Sequence, residues 1–221
     1  MEYRAAVLLG LLNGFIPNVL LAYALSRIDS APAALLQATT PLFVAVGGQL
    51  GLSADRIVPR QALGIVAALG GSATIIGSFA VLGAAMSYAG AALVVSRLRP
   101  TEPTQTALGQ QLAAMIFAAV AAALLEPLSA WQQPASVWWA LLGMAVVSTA
   151  LPVILFFRLL STTSAAQASL VHYLLPVAAL LYGVGFLGEH LQPLSVLGGV
   201  VILASIWLAN STHAVSRRAV R

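Results

Sequence analysis

The sequence predicts an all-α integral membrane protein of eight transmembrane helices, built around a repeat whose two copies lie inverted in the membrane. The first observation is composition. Charged residues make up 7%, hydrophobic residues 60%, and mean hydropathy is +0.96, against about 25% charged in an ordinary soluble domain. The second is a set of separated apolar runs, each close to the roughly 20 residues that cross a bilayer. The third is internal similarity at a fixed offset. Pro17 aligns with Pro152, Leu25-Ser26 with Leu160-Ser161, Ala31 with Ala166, Leu35 with Leu170, Pro41 with Pro176 and Leu52 with Leu187. One deleted residue then brings Pro59 onto Pro193 and Leu63-Gly64 onto Leu197-Gly198. Leucine matches carry little weight in so apolar a chain. Aligned prolines carry more, since proline fills only 11 of 221 positions. An odd number of spans separates the copies, so the second lies upside down relative to the first. Inverted repeats of this kind point to secondary transporters, whose halves rock about a central site.

Taken in order, the expected spans are Ala5–Leu25, Pro32–Leu52, Gln61–Gly77, Ser78–Ser96, Thr106–Leu125, Trp138–Phe157, Ala165–Leu187 and Pro193–Asn210. The third and fourth share no polar linker. Together they are too long for one crossing, and Gly77-Ser78 is the expected point of reversal. A cleaved leader is the alternative reading of the first run, with Ala22-Tyr23-Ala24 as its small-x-small site. Against it, Asn13, Pro17 and Asn18 interrupt the apolar stretch, which also has a repeat partner in the sixth span.

Orientation follows from the basic residues, all ten of which are arginines. On alternating sides, Arg4, Arg56, Arg60, Arg97, Arg99, Arg158, Arg217, Arg218 and Arg221 fall with the N-terminus, and Arg27 alone falls opposite. Cytoplasmic loops are enriched in arginine, so both termini are expected in the cytoplasm, in the plasma membrane of a bacterium. Trp131, Trp138 and Trp139 are expected at the outer interface and Trp207 nearer the inner one. The net charge of +4 is thereby assigned to loops and tail. No basic stripe with interleaved aromatics remains for nucleic acid, which is excluded as a partner. With no cysteine, disulfides, thiolate metal sites and a cysteine nucleophile are excluded as well.

Ala34-Leu35-Leu36-Gln37-Ala38-Thr39-Thr40-Pro41-Leu42-Phe43 resembles the fourth helix of the EamA-type transporters of the drug/metabolite transporter superfamily. Pro176, Leu187-Gly188-Glu189-His190-Leu191 and Leu197-Gly198-Gly199 resemble the end of the second EamA repeat. Ser87-Tyr88 with Val95-Ser96-Arg97 is similar to the helix that opens that repeat. The resemblance covers nearly the whole chain. It implies an incomplete first repeat of three helices over 1–77, a second of five over 78–210, and a basic cytoplasmic tail over 211–221. Two departures stand out. Leu52-Ser53-Ala54-Asp55 occupies the place of a Leu-Gly-Glu turn, and the first two helices of the usual ten have no counterpart. The resemblance implies an exporter or exchanger of a small organic metabolite or drug, working by alternating access. The missing helices motivate the alternative, a non-transporting membrane subunit or a truncated, inactive remnant.

Polar side chains inside spans are costly and tend to face a cavity or the protein interior. They are Asn13, Asn18, Gln37, Thr39, Thr40, Gln49, Tyr88, Gln110, Gln111, Ser148, Thr149, His172, Tyr173 and Tyr182. Gln37 and His172 precede the paired prolines Pro41 and Pro176 by four residues each. Inversion would set them at similar depth on opposite halves. The expected substrate site is therefore Gln37, Thr40, Tyr88, His172 and Tyr173, with Asn18 in reserve. Each has a plain alternative: hydrogen bonding to a neighbouring helix, worth about 0.6 kcal/mol on average. Asn13 and Asn18 flank Pro17 and are as readily read as repairing the kink it causes. Glu126 and Glu189 fall at the outer surface as loop or capping residues, and Asp29 and Asp55 lie in loops. A carboxylate-driven proton cycle is not expected from the residues in view; facilitated diffusion, exchange or a cycle through His172 stay open. Few charges line the expected cavity, which favours a neutral, zwitterionic or mildly amphipathic solute. Catalytic carboxylate pairs, metal-ligand spacing and phosphate-cradling loops are all lacking, so neither an enzyme nor a cofactor is expected. The expected partners are the lipid bilayer and a small-molecule substrate, with a homo-oligomer left open.

Overall fold

The computed structural model describes residues 3–49, 75–98, 102–163, 167, 168, 171, 174–188 and 200. Among these, every regular element is helical. Helices α1 (Tyr3–Leu9) and α2 (Ile16–Leu25) form one continuous span with a π-helical segment, Gly10–Phe15, between them. Two short helices follow, α3 (Ser30–Gln37) and α4 (Thr40–Gln49). Then come α5 (Ile75–Leu98), α6 (Pro103–Leu125), and a sixth-span rod made of α7 (Ala135–Gly143), a second π segment (Met144–Ala150) and α8 (Leu151–Thr162). Helix α9 (Leu174–Leu187) closes the described part. Among the described residues, four helical rods are long and apolar enough to cross a membrane: Tyr3–Leu25, Ile76–Leu98, Thr104–Leu125 and Ala135–Thr162. Their apolar surfaces face outward as well as inward, with Met115, Ile116, Val147 and Leu151 all more than half exposed, as lipid-facing positions require. The chain is an integral membrane protein.

Helix α5 is the centre of the bundle. Over half of its apolar window is buried, and α2, α3 and α4 all pack on it. Ala24 shares a cluster with Ala80 and Val81 near one end, while Leu9 shares one with Ala89, Ala91 and Ala92 near the other, and Gly83 lies against Leu20 and Gly90 against Leu12, so the first span runs antiparallel to α5. Leu35 lies with Val81 and Val44 with Leu93, so α3 and α4 run parallel to it. Helix α6 returns alongside the first span in the same direction. Phe157 and Leu160 share a cluster with Leu9 and Ala107, which puts the end of α8 where the first span and α6 begin. The first and sixth spans thus run in opposite directions. That end of the bundle carries Arg4, Arg97 and Arg158, and the opposite end carries Arg27. Arg27 folds back along its own helix: its guanidinium lies 3.6 Å from the Tyr23 ring centroid and donates to the Tyr23 carbonyl at 3.1 Å.

Two expectations need correcting. Gly77-Ser78 is not a reversal, because α5 runs unbroken from Ile75 to Leu98. Both residues are buried, and their small size serves close helix packing, which composition alone does not distinguish from a turn. The second span is not one helix either. It breaks at Ala38-Thr39, where Pro41 supplies no N–H to the Gln37 carbonyl. The Thr40 hydroxyl donates to that carbonyl at 2.8 Å, and the Thr39 hydroxyl to the Leu36 carbonyl at 2.7 Å. The expected third span (apart from its last residues) and the eighth (apart from Val200) lie outside the described residues, as do Arg56, Arg60, Arg99, Trp207 and the basic tail.

One of the aligned proline pairs, Pro17 and Pro152, has like local structure on both sides. In the first copy the Ile16 N–H bonds the Leu11 carbonyl, five residues back, one position before Pro17. In the second copy the Leu151 N–H bonds the Val146 carbonyl, one position before Pro152. Each proline sits in the first turn of the α-helix that follows. A missing N–H within an apolar helix is accommodated by local widening of the turn, the usual origin of a π-bulge and of a bend.

Candidate functional site

Polar side chains collect where the first span, α5 and α6 meet. Pro17 cannot bond back to Leu12, as the π register would require. The Ser87 hydroxyl of α5 donates to the Leu12 carbonyl instead, at 2.7 Å. One turn on, the Asn18 side chain donates to the Gly14 carbonyl at 2.6 Å. Its oxygen faces the Tyr88 hydroxyl at 3.5 Å. Toward α6, the Asn13 amide donates to the Gln110 side chain at 2.9 Å, and Gln110 donates to Gln111 at 3.2 Å. Gln110 is fully buried. Among the described residues no buried side-chain nitrogen or oxygen lacks a partner, as an apolar medium demands.

The two rods touch closely at glycine. A side chain on Gly10 would collide with Ala113, and one on Gly14 with Ala114, so the backbones meet at van der Waals distance. Beyond Phe15, whose ring lies 6.0 Å from that of Phe117, the rods diverge. A crevice of about 490 Å³ opens there, lined by Gly14, Asn18, Gln111, Ala118, Ala122 and Glu126 among others.

Of the residues expected to bind substrate, two pairs come into contact. Asn18 meets Tyr88, and Thr40 meets the carbonyl of Gln37. Thr40 is fully buried, Gln37 and Tyr88 are half-buried, and Asn18 is exposed on the crevice. His172 and Tyr173 lie outside the described residues. The amide relay through Asn13, Gln110 and Gln111 was present in the sequence as polar residues in spans. Nothing in the spacing paired them, because the partners lie 97 positions apart. Among the described residues no three His, Cys, Asp or Glu side chains gather as metal ligands would.

The model of the EamA-like transporter family matches the chain twice, over residues 2–77 and 75–211. The chain belongs to that family, within the drug/metabolite transporter superfamily. It is also similar to a Bacillus subtilis (strain 168) protein described as an uncharacterized transporter, YoaV. The two are 26% identical over 240 residues, covering 98% of this chain and 78% of the relative.

Proposed function

We propose that this chain is a secondary transporter that exports or exchanges a small organic metabolite or drug by alternating access. It would sit in a bacterial inner membrane with both termini cytoplasmic. The observation that carries this reading is the pair of π–proline elements, Gly10–Phe15 with Pro17 and Met144–Ala150 with Pro152, on spans that run in opposite directions. Like local structure in two opposed spans fits a pair of halves that rock about a central site. The segregation of Arg4, Arg97 and Arg158 from Arg27 supports the orientation. The parallel course of the α3–α4 span and α5 supports a further crossing between them. The substrate site of the proposal is Gln37, Thr40, Tyr88, His172 and Tyr173, with Asn18 beside Tyr88.

Tolerance of a host to a panel of amino acids and drugs, with and without the expressed chain, tests both function and site. The expected result is a shift for at least one compound, abolished by Gln37→Leu and by His172→Leu at normal expression. Full activity and unchanged range in both variants would make those positions packing residues. One observation favours the alternative, a non-transporting subunit or inactive remnant. Among the described residues, α7 and the second π segment have no buried side chain, so half of the sixth span stands clear of the bundle. Uptake into liposomes holding the chain alone would exclude that alternative.

A further inference from the structure

Arg158 stands on the face of α8 that looks away from the bundle. Phe157 and Leu160 are buried in the cluster shared with the first span and α6. Leu151, Leu155, Arg158 and Thr162 follow at spacings of four, three and four residues, which sets them on one helical stripe. All four are exposed. The rod to which they belong is long and apolar enough to cross the membrane, so this stripe meets lipid. Arg158 lies four residues, about 6 Å, short of the helix end at Thr162. A charge at that level is costly unless an opposite charge meets it. No protein group does so: Arg158 makes no side-chain hydrogen bond or ion pair among the described residues. The neighbouring hydroxyls of Ser161 and Thr162 are turned onto the carbonyls of Arg158 and Leu159. Arg4 repeats the arrangement on the first span, exposed beside Val7 and Leu8 and likewise without a side-chain partner among the described residues. Arg97, in the last turn of α5, brings a third guanidinium to the same end. Glu102, just before α6, is the one carboxylate that the described residues place there.

We propose that the outward stripe of α8 binds an anionic phospholipid, its phosphodiester held by the Arg158 guanidinium and its acyl chain lying along Leu155 and Leu151. A guanidinium offers parallel N–H donors that match two oxygens of a phosphate. A zwitterionic headgroup would bring its own cation beside Arg158, with only Glu102 at that end to receive it. Inorganic phosphate would lose hydration at the edge of the hydrocarbon with no chain to hold it there. The site lies apart from the proposed substrate site, and its occupation does not depend on the transport reading.

The chain has no cysteine, so Leu155→Cys can carry a single bimane, itself apolar, beside Arg158. The full chain is placed in phosphatidylcholine nanodiscs containing increasing fractions of a nitroxide-bearing lipid, either phosphatidylglycerol or phosphatidylcholine. The nitroxide sits near the glycerol end of one acyl chain and quenches bimane only on contact. Phosphatidylglycerol is expected to half-quench at about one-fifth of the mole fraction that phosphatidylcholine needs, the worth of one arginine beside an anionic headgroup. Arg158→Gln should bring the two curves together. Salt near 1 M should do the same in the parent, since charges are then screened within about 3 Å. Bimane on Trp139→Cys, on the exposed outer half of the same rod, should show no preference. Inorganic phosphate, compared with chloride at matched ionic strength, should leave the phosphatidylglycerol curve unchanged. Equal quenching by the two lipids, an equal preference at position 139, or competition by inorganic phosphate would overturn the proposal. So would a preference that survives Arg158→Gln or, should that variant fail to fold, one that persists at 1 M salt.

Discussion

Ser87 sits on α5 yet completes the hydrogen bonding of a different helix, because Pro17 leaves the Leu12 carbonyl without a donor. In an apolar medium such a carbonyl has no water to turn to, so the hydroxyl should matter more than its size suggests. Ser87→Ala is expected to cost about 1 kcal/mol, between the average for interhelical bonds in membranes and the cost of an orphaned buried acceptor. Pro17→Ala restores an N–H within reach of the same carbonyl. The cost of Ser87→Ala should therefore shrink toward zero in the Pro17→Ala background. Reversible unfolding in mixed micelles of the two single variants and the double variant measures this coupling. Strictly additive effects would show that Ser87 packs without bonding. Thr40 serves Pro41 in the same way, through the Gln37 carbonyl. Two of the prolines in the repeat are thus matched by hydroxyls, one from a neighbouring helix and one from the adjacent residue.

The elements differ in how tightly they are held. The first π segment is clamped by Ser87, by the Asn13–Gln110 bond and by the glycine seam on α6. In the second, the Thr149 hydroxyl lies 3.4 Å from its own Met144 carbonyl, and Gly143 has open space where a side chain would project. Gly14→Val should then push the first span off α6, lowering the yield of folded protein and costing several kcal/mol, as overpacking does at a rigid contact. Gly143→Ala should be neutral or stabilising by less than about 1 kcal/mol, since it meets nothing and removes only glycine's backbone freedom. Thermal aggregation midpoints in detergent compare the two, and equal losses would contradict the seam. Hydropathy made the outer limits of the first span, α6 and the sixth span legible. It gave no sign of the π segments, because widening one turn leaves the pattern of apolar residues intact. It also took Gly77-Ser78 for a turn and missed the break at Ala38-Thr39. In both places the deciding fact is which neighbour covers a small or bonded residue, and a single sequence does not carry that.

At the scale of the whole molecule, the proline pairs in the sequence pointed to a symmetry, and one pair, Pro17 and Pro152, has like local structure, each proline following a π segment. The site was less legible. Gln37 and His172 were matched by repeat position, whereas the contacts among described residues join Asn18 to Tyr88 and Asn13 to Gln110, pairs set by helix packing over long sequence separations. An inverted repeat would set equivalent positions of its two copies on opposite sides of the membrane. Ser26 and Ser161 are such a pair, both exposed at helix ends, and the chain contains no cysteine. Ser26→Cys and Ser161→Cys, made singly, can therefore be labelled in intact cells with a membrane-impermeant maleimide. The Ser26→Cys variant is expected to label from outside, and the Ser161→Cys variant only after the membrane is opened. Labelling of both from the same side would contradict the inverted arrangement.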